Sequence, residues 1–500
     1  MSALKGQSCA ANLAAYLSRS HSPAVQHSNV FTSLIGACHI RGKPCHFDGS
    51  SPSAEKQRQA AIDDAKVSDE RWSNGSQLSL VDGMVVAVKD NFCARMVDPD
   101  GQPWSTTAGS KMLENFASPY DATVVERLKE GGAVMIGKTN MDEFGMGSYG
   151  VNSYFGVTTL NDGSQVAGGS SSGSAAAVAL DCCDAAIGSD TGGSVRLPAS
   201  FCNIVGFKPS YGRVSRYGLI SYASSLDTPG ILARSVNDVA RVFDTIAGPD
   251  DRDSTCRTDP WVPPTQEMVA ASETGDLSGV KIGIPVEFHV KELPQATLDD
   301  WRRSAAWLED AGAQIIPVNV PSVKDALPVY YVLACAEAAS NLARYDGIQF
   351  GHRTQEPVDD LHSEYAFSRS EGFGAEVKRR ILMGSFVLSS EAYDDYYIRA
   401  TRIRAKLALD FSQAFTQVDV MLTPVSPHPA PSPELALEQE PVTSYLTDVM
   451  TVPASLAGLP ALSLPLGNSG QNIQLIGANG GDAKFLGISR RVEHALAGKR

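Results

Sequence analysis

The apolar and polar positions along the chain mark a succession of short buried strands and amphipathic helices. Residues 84–88 (MVVAV) are a continuous apolar run ending at Lys89-Asp90, the pattern of a strand covered on both faces. Residues 122–130 place Val124, Val125 and Leu128 at helical spacing, Gly131-Gly132 stops that helix, and 133–136 resumes as a strand. An Ala-rich helix is predicted over 174–180, opened by a Gly/Ser loop, and 185–188 is a brief apolar segment entering a second Gly-rich turn. Further strands are predicted at 280–284 and 418–422, and helices at 298–311, 325–345 and 389–415. Trp301, Ala305 and Leu308 share one face of the first of these helices, and Tyr397, Arg404 and Phe411 recur at seven-residue steps in the last. Residues 248–276, rich in Asp, Pro, Ser and Thr, read as a surface connection, and 423–433 as a Pro-rich loop. Residues 451–466 return to small apolar side chains suited to close backbone packing. Alternation of this kind predicts an α/β fold, a mixed central β-sheet with helices on both faces. No period of roughly 20–50 residues recurs, which argues against a solenoid.

Composition narrows the picture. Five hundred residues, 43 % hydrophobic and 20 % charged, suffice for one large core or a few ordinary domains. No apolar run reaches the roughly 18–20 residues that crossing a bilayer requires. The formal net charge of −14 disfavours direct binding of nucleic acid, which calls for a basic excess or stripe. The nine cysteines include no Cys-x-x-Cys pair, and Cys182-Cys183 are adjacent, a pattern that suits a reducing compartment. Cys38-His39 and Cys45-His46 suggest half of a metal site, but their spacing fits no standard zinc pattern and reads as coincidence. The first acidic residue is Asp48; Lys5, Arg19, Arg41 and Lys43 precede it among many Ser and Ala, as in a mitochondrial presequence. The alternative is that 10–18 is simply the first helix of the fold.

The candidate chemistry lies in two loops. The first runs Gly168-Gly169-Ser170-Ser171-Ser172-Gly173-Ser174; the second runs Gly188-Ser189-Asp190-Thr191-Gly192-Gly193-Ser194-Val195-Arg196. Neither matches a P-loop or a dinucleotide fingerprint. No histidine falls between His46 and His289, and no Gly-x-Ser-x-Gly elbow surrounds Ser194, so a serine nucleophile here would pair more readily with a lysine than with a histidine. A lysine can serve as a base only when neutral, which means lowering its ordinary pKa of about 10.4 by roughly 2–3 units. Lys89, at the end of an apolar strand, is placed for that if it is buried; the bland alternative is a strand end pointing to water.

Val88-Lys89-Asp90-Asn91, Gly137-Lys138-Thr139-Asn140-Met141-Asp142-Glu143-Phe144, the two Gly/Ser loops, Phe201-Cys202 and Gly206-Phe207-Lys208-Pro209 occur in that order. Together they resemble the amidase-signature family over at least residues 84–240. The resemblance implies that family's fold and a relay of Lys89, Ser170 (in a cis peptide) and the nucleophile Ser194, with the backbone of Thr191, Gly192 and Gly193 facing the oxyanion and no metal. The likeness extends over nearly the whole chain to one branch, the A subunits of glutamyl-tRNA(Gln) amidotransferases, through Tyr330-Tyr331-Val332, Glu337–Leu342, Ser370–Gly374 and Glu376–Ile381. That branch implies glutamine as substrate, with Arg380 on its carboxylate, Asp448 on its ammonium, and Tyr331 or the neighbouring Tyr330 lining the pocket. It also implies a kinase-transferase B subunit that uses ATP and Mg, a small C-type subunit, no cofactor in this chain, and Glu-tRNA(Gln) contacted mainly through the partner. With Asp227–Leu232, the acid-free start leans towards the mitochondrial matrix, the alternative being the cytoplasm. The organisation expected is a helical segment over 1–70 with a possible targeting sequence, then a catalytic domain over 71–500 in which 250–400 supplies a glutamine-site and partner-facing subregion. Ser172 and Asn203 stand where the family usually has Gly, and the link over 96–105 is longer than usual, which puts local loop shape in question. The competing readings are a stand-alone amidase acting on another small amide and a non-catalytic assembly subunit.

Overall fold

The computed structural model describes residues 8–20, 22, 25, 28–34, 52–97, 103–160, 163–264, 274–291, 293–466 and 471–497. Cys38, His39, Cys45 and His46 lie outside the described residues. The strands in chain order are β1 (Phe31–Leu34), β2 (Val85–Lys89), β3 (Val134–Thr139), β4 (Thr159–Leu160), β5 (Gln165–Val166), β6 (Ala185–Asp190), β7 (Val205–Lys208), β8 (Thr228–Ala233), β9 (Lys281–Pro285), β10 (Gln314–Val318), β11 (Val420–Pro424), β12 (Ala461–Pro465) and β13 (Asn472–Gly477). Among the described residues, eleven of them join one sheet in the order β1-β3-β2-β6-β8-β7-β12-β13-β11-β9-β10, and β4 and β5 form a separate hairpin. The sheet is mixed: β2 runs parallel to β3 and β6, β9 runs parallel to β10 and β11, and the remaining neighbours are antiparallel.

Successive side chains of a strand point to opposite faces, so a central strand must be apolar throughout. In β2, Val86 and Val88 enter one core while Val85 and Ala87 enter another; Ile231 and Leu232 of β8 divide in the same way. The first core takes in helices Thr123–Glu130 and Val236–Ile246, and the second takes in helices Cys9–Ser20 and Ser172–Ala179. Helices therefore cover both faces, as the alternation predicts. The two faces make Lys89 a core residue: it is the last residue of β2 and wholly buried, so the reading of a strand end in water is overturned.

The amino-terminal stretch 10–18 belongs to helix Cys9–Ser20, which packs into the second core. Leu13, Tyr16 and Leu17 are buried, and Tyr16 donates to Asp184 Oδ1 at 2.6 Å while Asp184 Oδ2 accepts the Val85 N–H of β2 at 2.9 Å. Helix Pro52–Ser73 runs through the expected boundary at residue 70, because its Ala61 and Ala65 pack into the same core. The predicted helix over 389–415 begins later, with a wide π-helical turn at Tyr393–Ile398 ahead of Arg399–Ala414.

Helices Ala326–Asn341 and Ala375–Val387 pack closely through Gly384, where a Cβ would run into the Cys335 carbonyl oxygen. We expect Gly384→Val to destabilise the fold by about 1–3 kcal/mol through overpacking, read as a lowered thermal midpoint.

Candidate active site

β2, β6 and the two Gly/Ser loops meet at the Lys89 amine. Lys89 Nζ lies 2.8 Å from Ser170 Oγ, 2.9 Å from Ser171 Oγ, 2.9 Å from Ser189 Oγ and 3.3 Å from the Ser189 carbonyl oxygen. Burial brings its pKa down to about 7, with Asp142, Asp190 and Asp227 pulling in the opposite direction. The ammonium loses its hydration at this depth, whereas the neutral amine loses little. Ser170 follows a cis peptide bond from Gly169, the conformation expected from the resemblance. A Cβ on Gly169 would collide with Asp142 Oδ2, so this loop can sit here only with glycine at that position.

Ser194 is 9 % exposed, and among the described residues its hydroxyl makes no hydrogen bond to Ser170 or any other group. The structure thus brings Lys89 and Ser170 into contact and holds Ser194 on the adjoining loop, where its carbonyl accepts the Ser171 N–H at 3.1 Å. Among the described residues, the N–H groups of Thr191, Gly192, Gly193 and Ser194 donate to no acceptor and form a set of available donors. Gly193 has φ +153° and a Cβ there would strike Thr451 Oγ1; a Cβ on Gly192 would lie 2.6 Å from the Tyr330 ring. Only glycine permits that approach.

Buried carboxylates fasten the turn. Burial alone would raise the Asp190 carboxyl, but Arg196 overrides this and holds it below the usual range through bonds of 3.0 and 2.9 Å. Arg196 also donates to the Thr451 carbonyl oxygen, Gln474 Oε1 and Ser455 Oγ. Asp227 accepts from Thr191 Oγ1 at 2.7 Å and from the Tyr222 and Ala223 N–H groups. Asp142, pushed up to about 6 by burial, accepts the N–H groups of Gly150 and Asn152.

The residues expected to read the substrate stand together. Tyr331 donates to Asp448 Oδ2 at 2.9 Å, and Ser148 donates to the same oxygen at 3.0 Å. Burial raises the Asp448 carboxyl to about 6, with these two hydroxyls opposing the rise, so it is largely ionised at neutral pH. Arg380 is buried among Tyr222, Tyr331 and Tyr445, its guanidinium carbon 5.3–5.8 Å from their ring centroids. Its Nε donates to Glu376 Oε1 at 2.7 Å and its Nη1 to the Tyr222 hydroxyl at 2.7 Å, and Tyr445 donates to the same Glu376 oxygen at 2.9 Å. Arg380 is therefore no solvated helix charge. The choice between Tyr330 and Tyr331 resolves into two positions: Tyr330 backs the Gly192 turn, and Tyr331 meets Asp448 and Arg380.

Sequence reasoning missed Ser148, Tyr222 and Glu376, and gave no part to Ser171 and Ser189, which stand inside the quoted loops. Tyr222 and Ser148 carry no local signal, since only the fold brings them to Arg380 and Asp448. Ser172 is helical and bonds Thr158 Oγ1 at 3.1 Å, while Asn203 takes φ +52°, a left-handed conformation that Asn tolerates better than most side chains. Among the described residues, no three His, Cys, Asp or Glu side chains are grouped to hold a metal ion.

The Amidase family model matches residues 53–486. The chain belongs to the amidase family. Within it, the chain is similar to the glutamyl-tRNA(Gln) amidotransferase A subunit of Coxiella burnetii, 47 % identical over 437 residues and 87 % of each chain. It is also similar to the mitochondrial glutamyl-tRNA(Gln) amidotransferase A subunit of Aedes aegypti, 45 % identical over 450 residues, 88 % of this chain and 89 % of the relative. The crystal structure of the glutamyl-tRNA(Gln) amidotransferase A subunit from Thermotoga maritima superposes with a TM-score of 0.68 at 39 % identity, covering 82 % of this chain and 83 % of that one.

A lysine with a depressed pKa binds fewer protons folded than unfolded. Between about 7 and its ordinary value, Lys89 therefore contributes stability that increases with pH. In lysine-labelled protein we expect two ammonium resonances, those of Lys89 and the buried Lys208, to titrate near 7 while the exposed lysines titrate near about 10.4, and only the Lys89 signal to be absent in Lys89→Met. A Lys89 signal that titrates with the exposed lysines would contradict the buried neutral amine.

Proposed function

We propose that the chain is the glutaminase subunit of a glutamyl-tRNA(Gln) amidotransferase. It hydrolyses glutamine to glutamate and ammonia, and a partner subunit uses the ammonia to convert Glu-tRNA(Gln) to Gln-tRNA(Gln). The observation that carries this reading is that buried Arg380, held through its Nε by Glu376, and buried Asp448 both meet Tyr331, which sets a cation and an anion within one pocket for the two charged groups of an α-amino acid. A simple aliphatic amide has no use for either charge.

In the proposed mechanism, neutral Lys89 takes the Ser170 proton while Ser170 takes the Ser194 proton, and Ser194 Oγ bonds to the carboxamide carbon. Among the described residues no hydrogen bond holds the Ser194 hydroxyl, which leaves it able to turn towards Ser170 when substrate binds. The developing oxyanion meets the N–H groups of the Thr191–Ser194 turn, donors already aimed and desolvated. The relay returns the proton to the departing nitrogen, ammonia leaves, and water hydrolyses the acyl-enzyme by the same path in reverse.

The reading extends to the assembly. ATP and Mg act at a kinase-transferase B subunit, not in this chain, and a small C-type subunit completes the complex. A net charge of −14 suits a subunit that leaves Glu-tRNA(Gln) to its partner. The mitochondrial matrix is the proposed location, supported by the acid-free stretch ahead of Asp48 and by the mitochondrial relative from Aedes aegypti.

Ammonia release by the complex tests the chemistry. We expect Ser194→Ala to lower glutaminase kcat by at least about a thousandfold while assembly with the partner persists. In the unaltered complex, kcat/KM for glutamine should rise with pH through about 7 as Lys89 loses its proton, and then level off. Arg380→Met and Asp448→Asn should each raise the glutamine KM by about 10–100-fold, because each removes a charge-assisted contact to the substrate. Equal hydrolysis of glutamine and simple aliphatic amides would favour a stand-alone amidase instead, and a complex that releases no ammonia from glutamine would favour a role in assembly only.

A further inference from the structure

A second cavity, of about 680 Å³, lies apart from the lysine–serine network and shares no lining residue with it. Its walls come from residues 111–116, 218–221, 344–345, 349–353 and 355, together with Cys93 and Tyr120. The volume lies in the range of small-molecule sites, roughly 300–1,000 Å³.

The charge of its lining runs against that of the chain. Lys111, Arg344, His352 and Arg353 face one acid, Glu114. His352 is matched by Glu371 at 2.8 Å and Arg353 by Glu364 at 2.5 Å. Lys111 and Arg344 have no carboxylate within ion-pair distance among the described residues: Lys111 senses Glu371 only at longer range, and Arg344 spends its Nε on the Asn341 carbonyl oxygen at 2.9 Å. Lys111 and Arg344 outnumber Glu114, the one acid of the lining, so in a protein of net charge −14 this concavity favours an anion.

The rest of the lining is aromatic. Tyr120 is 41 % and Phe350 54 % exposed, and Phe116 is half-buried beside them in the wall. Arg344 lies close enough to Tyr120 and Tyr345 to act on both hydroxyls electrostatically, so this cation stands near those two rings of the lining. A bare inorganic anion would leave the rings wet, and a neutral aromatic would leave the cations unmet. A mononucleotide satisfies both, with a flat base for the rings and a phosphate monoester dianion for two cations. The half-enclosed shape favours such a compact ligand over an extended acidic peptide.

We propose that this cavity is a mononucleotide-binding site, with the base against Tyr120 and Phe350 and the phosphate between Lys111 and Arg344. Isothermal titration of the full chain with AMP, adenosine and inorganic phosphate tests it. AMP is expected to bind saturably and at least about tenfold more tightly than either fragment, and the Lys111→Ala/Arg344→Ala double variant to lose about tenfold or more. Phe350→Ala, at an exposed position, should weaken AMP but leave phosphate binding unchanged. AMP affinity unchanged by the double variant, phosphate alone binding as tightly as AMP, or an acidic hexapeptide binding more tightly than AMP would each overturn the proposal.

Discussion

The structure turns on keeping one amine dry. Lys89 is wholly buried at the end of a strand covered on both faces, and that desolvation is what makes the neutral form accessible near neutral pH. A lysine half a turn nearer to water would stay charged, and the same serines would then surround an ammonium unable to accept a proton. The interior position of β2, flanked by β3 and β6, is therefore what keeps Lys89 dry as well as a feature of the packing.

Burying a cationic group brings a second requirement, because the polar groups around it must also be satisfied. The structure meets this with carboxylates that accept backbone N–H groups, Asp142 from Gly150 and Asn152, and Asp227 from Tyr222 and Ala223. Asp190 and Arg196 form a wholly buried pair tied on to Gln474, Ser455 and the backbone at Thr451. The resulting frame positions the Gly192-Gly193 turn without using its N–H groups, which stay available to a ligand. Its acids also hold the Lys89 pKa from falling further, so a single set of side chains sets both the shape of the loops and the basicity of the amine.

Much of this was legible in the chain. The two Gly/Ser loops and the absence of histidine near them are local features that pointed to lysine over histidine as a base, the alternation of strands and helices pointed to a mixed sheet, and the resemblance to the amidase family singled out Lys89, Ser170 and Ser194. Arg380 was harder, since beside Lys378 and Arg379 it looks like one more exposed charge. Its burial depends on Tyr222, Tyr331 and Tyr445, which come from three distant parts of the chain. Ser148 was invisible, and Glu376 was quoted without a role, for the same reason: a polar residue acquires a role only when the fold supplies its partner.

The helix Cys9–Ser20 has a bearing on how the polypeptide could be matured. Tyr16 occupies one oxygen of Asp184, and the other oxygen anchors the first residue of the strand that ends in Lys89. A processing protease that cut past this tyrosine would strip a hydroxyl from a deeply buried acid at the root of that strand. Loss of the chain through Tyr16 would therefore loosen the anchor of β2, a dependence set by one phenol far from the strand in sequence.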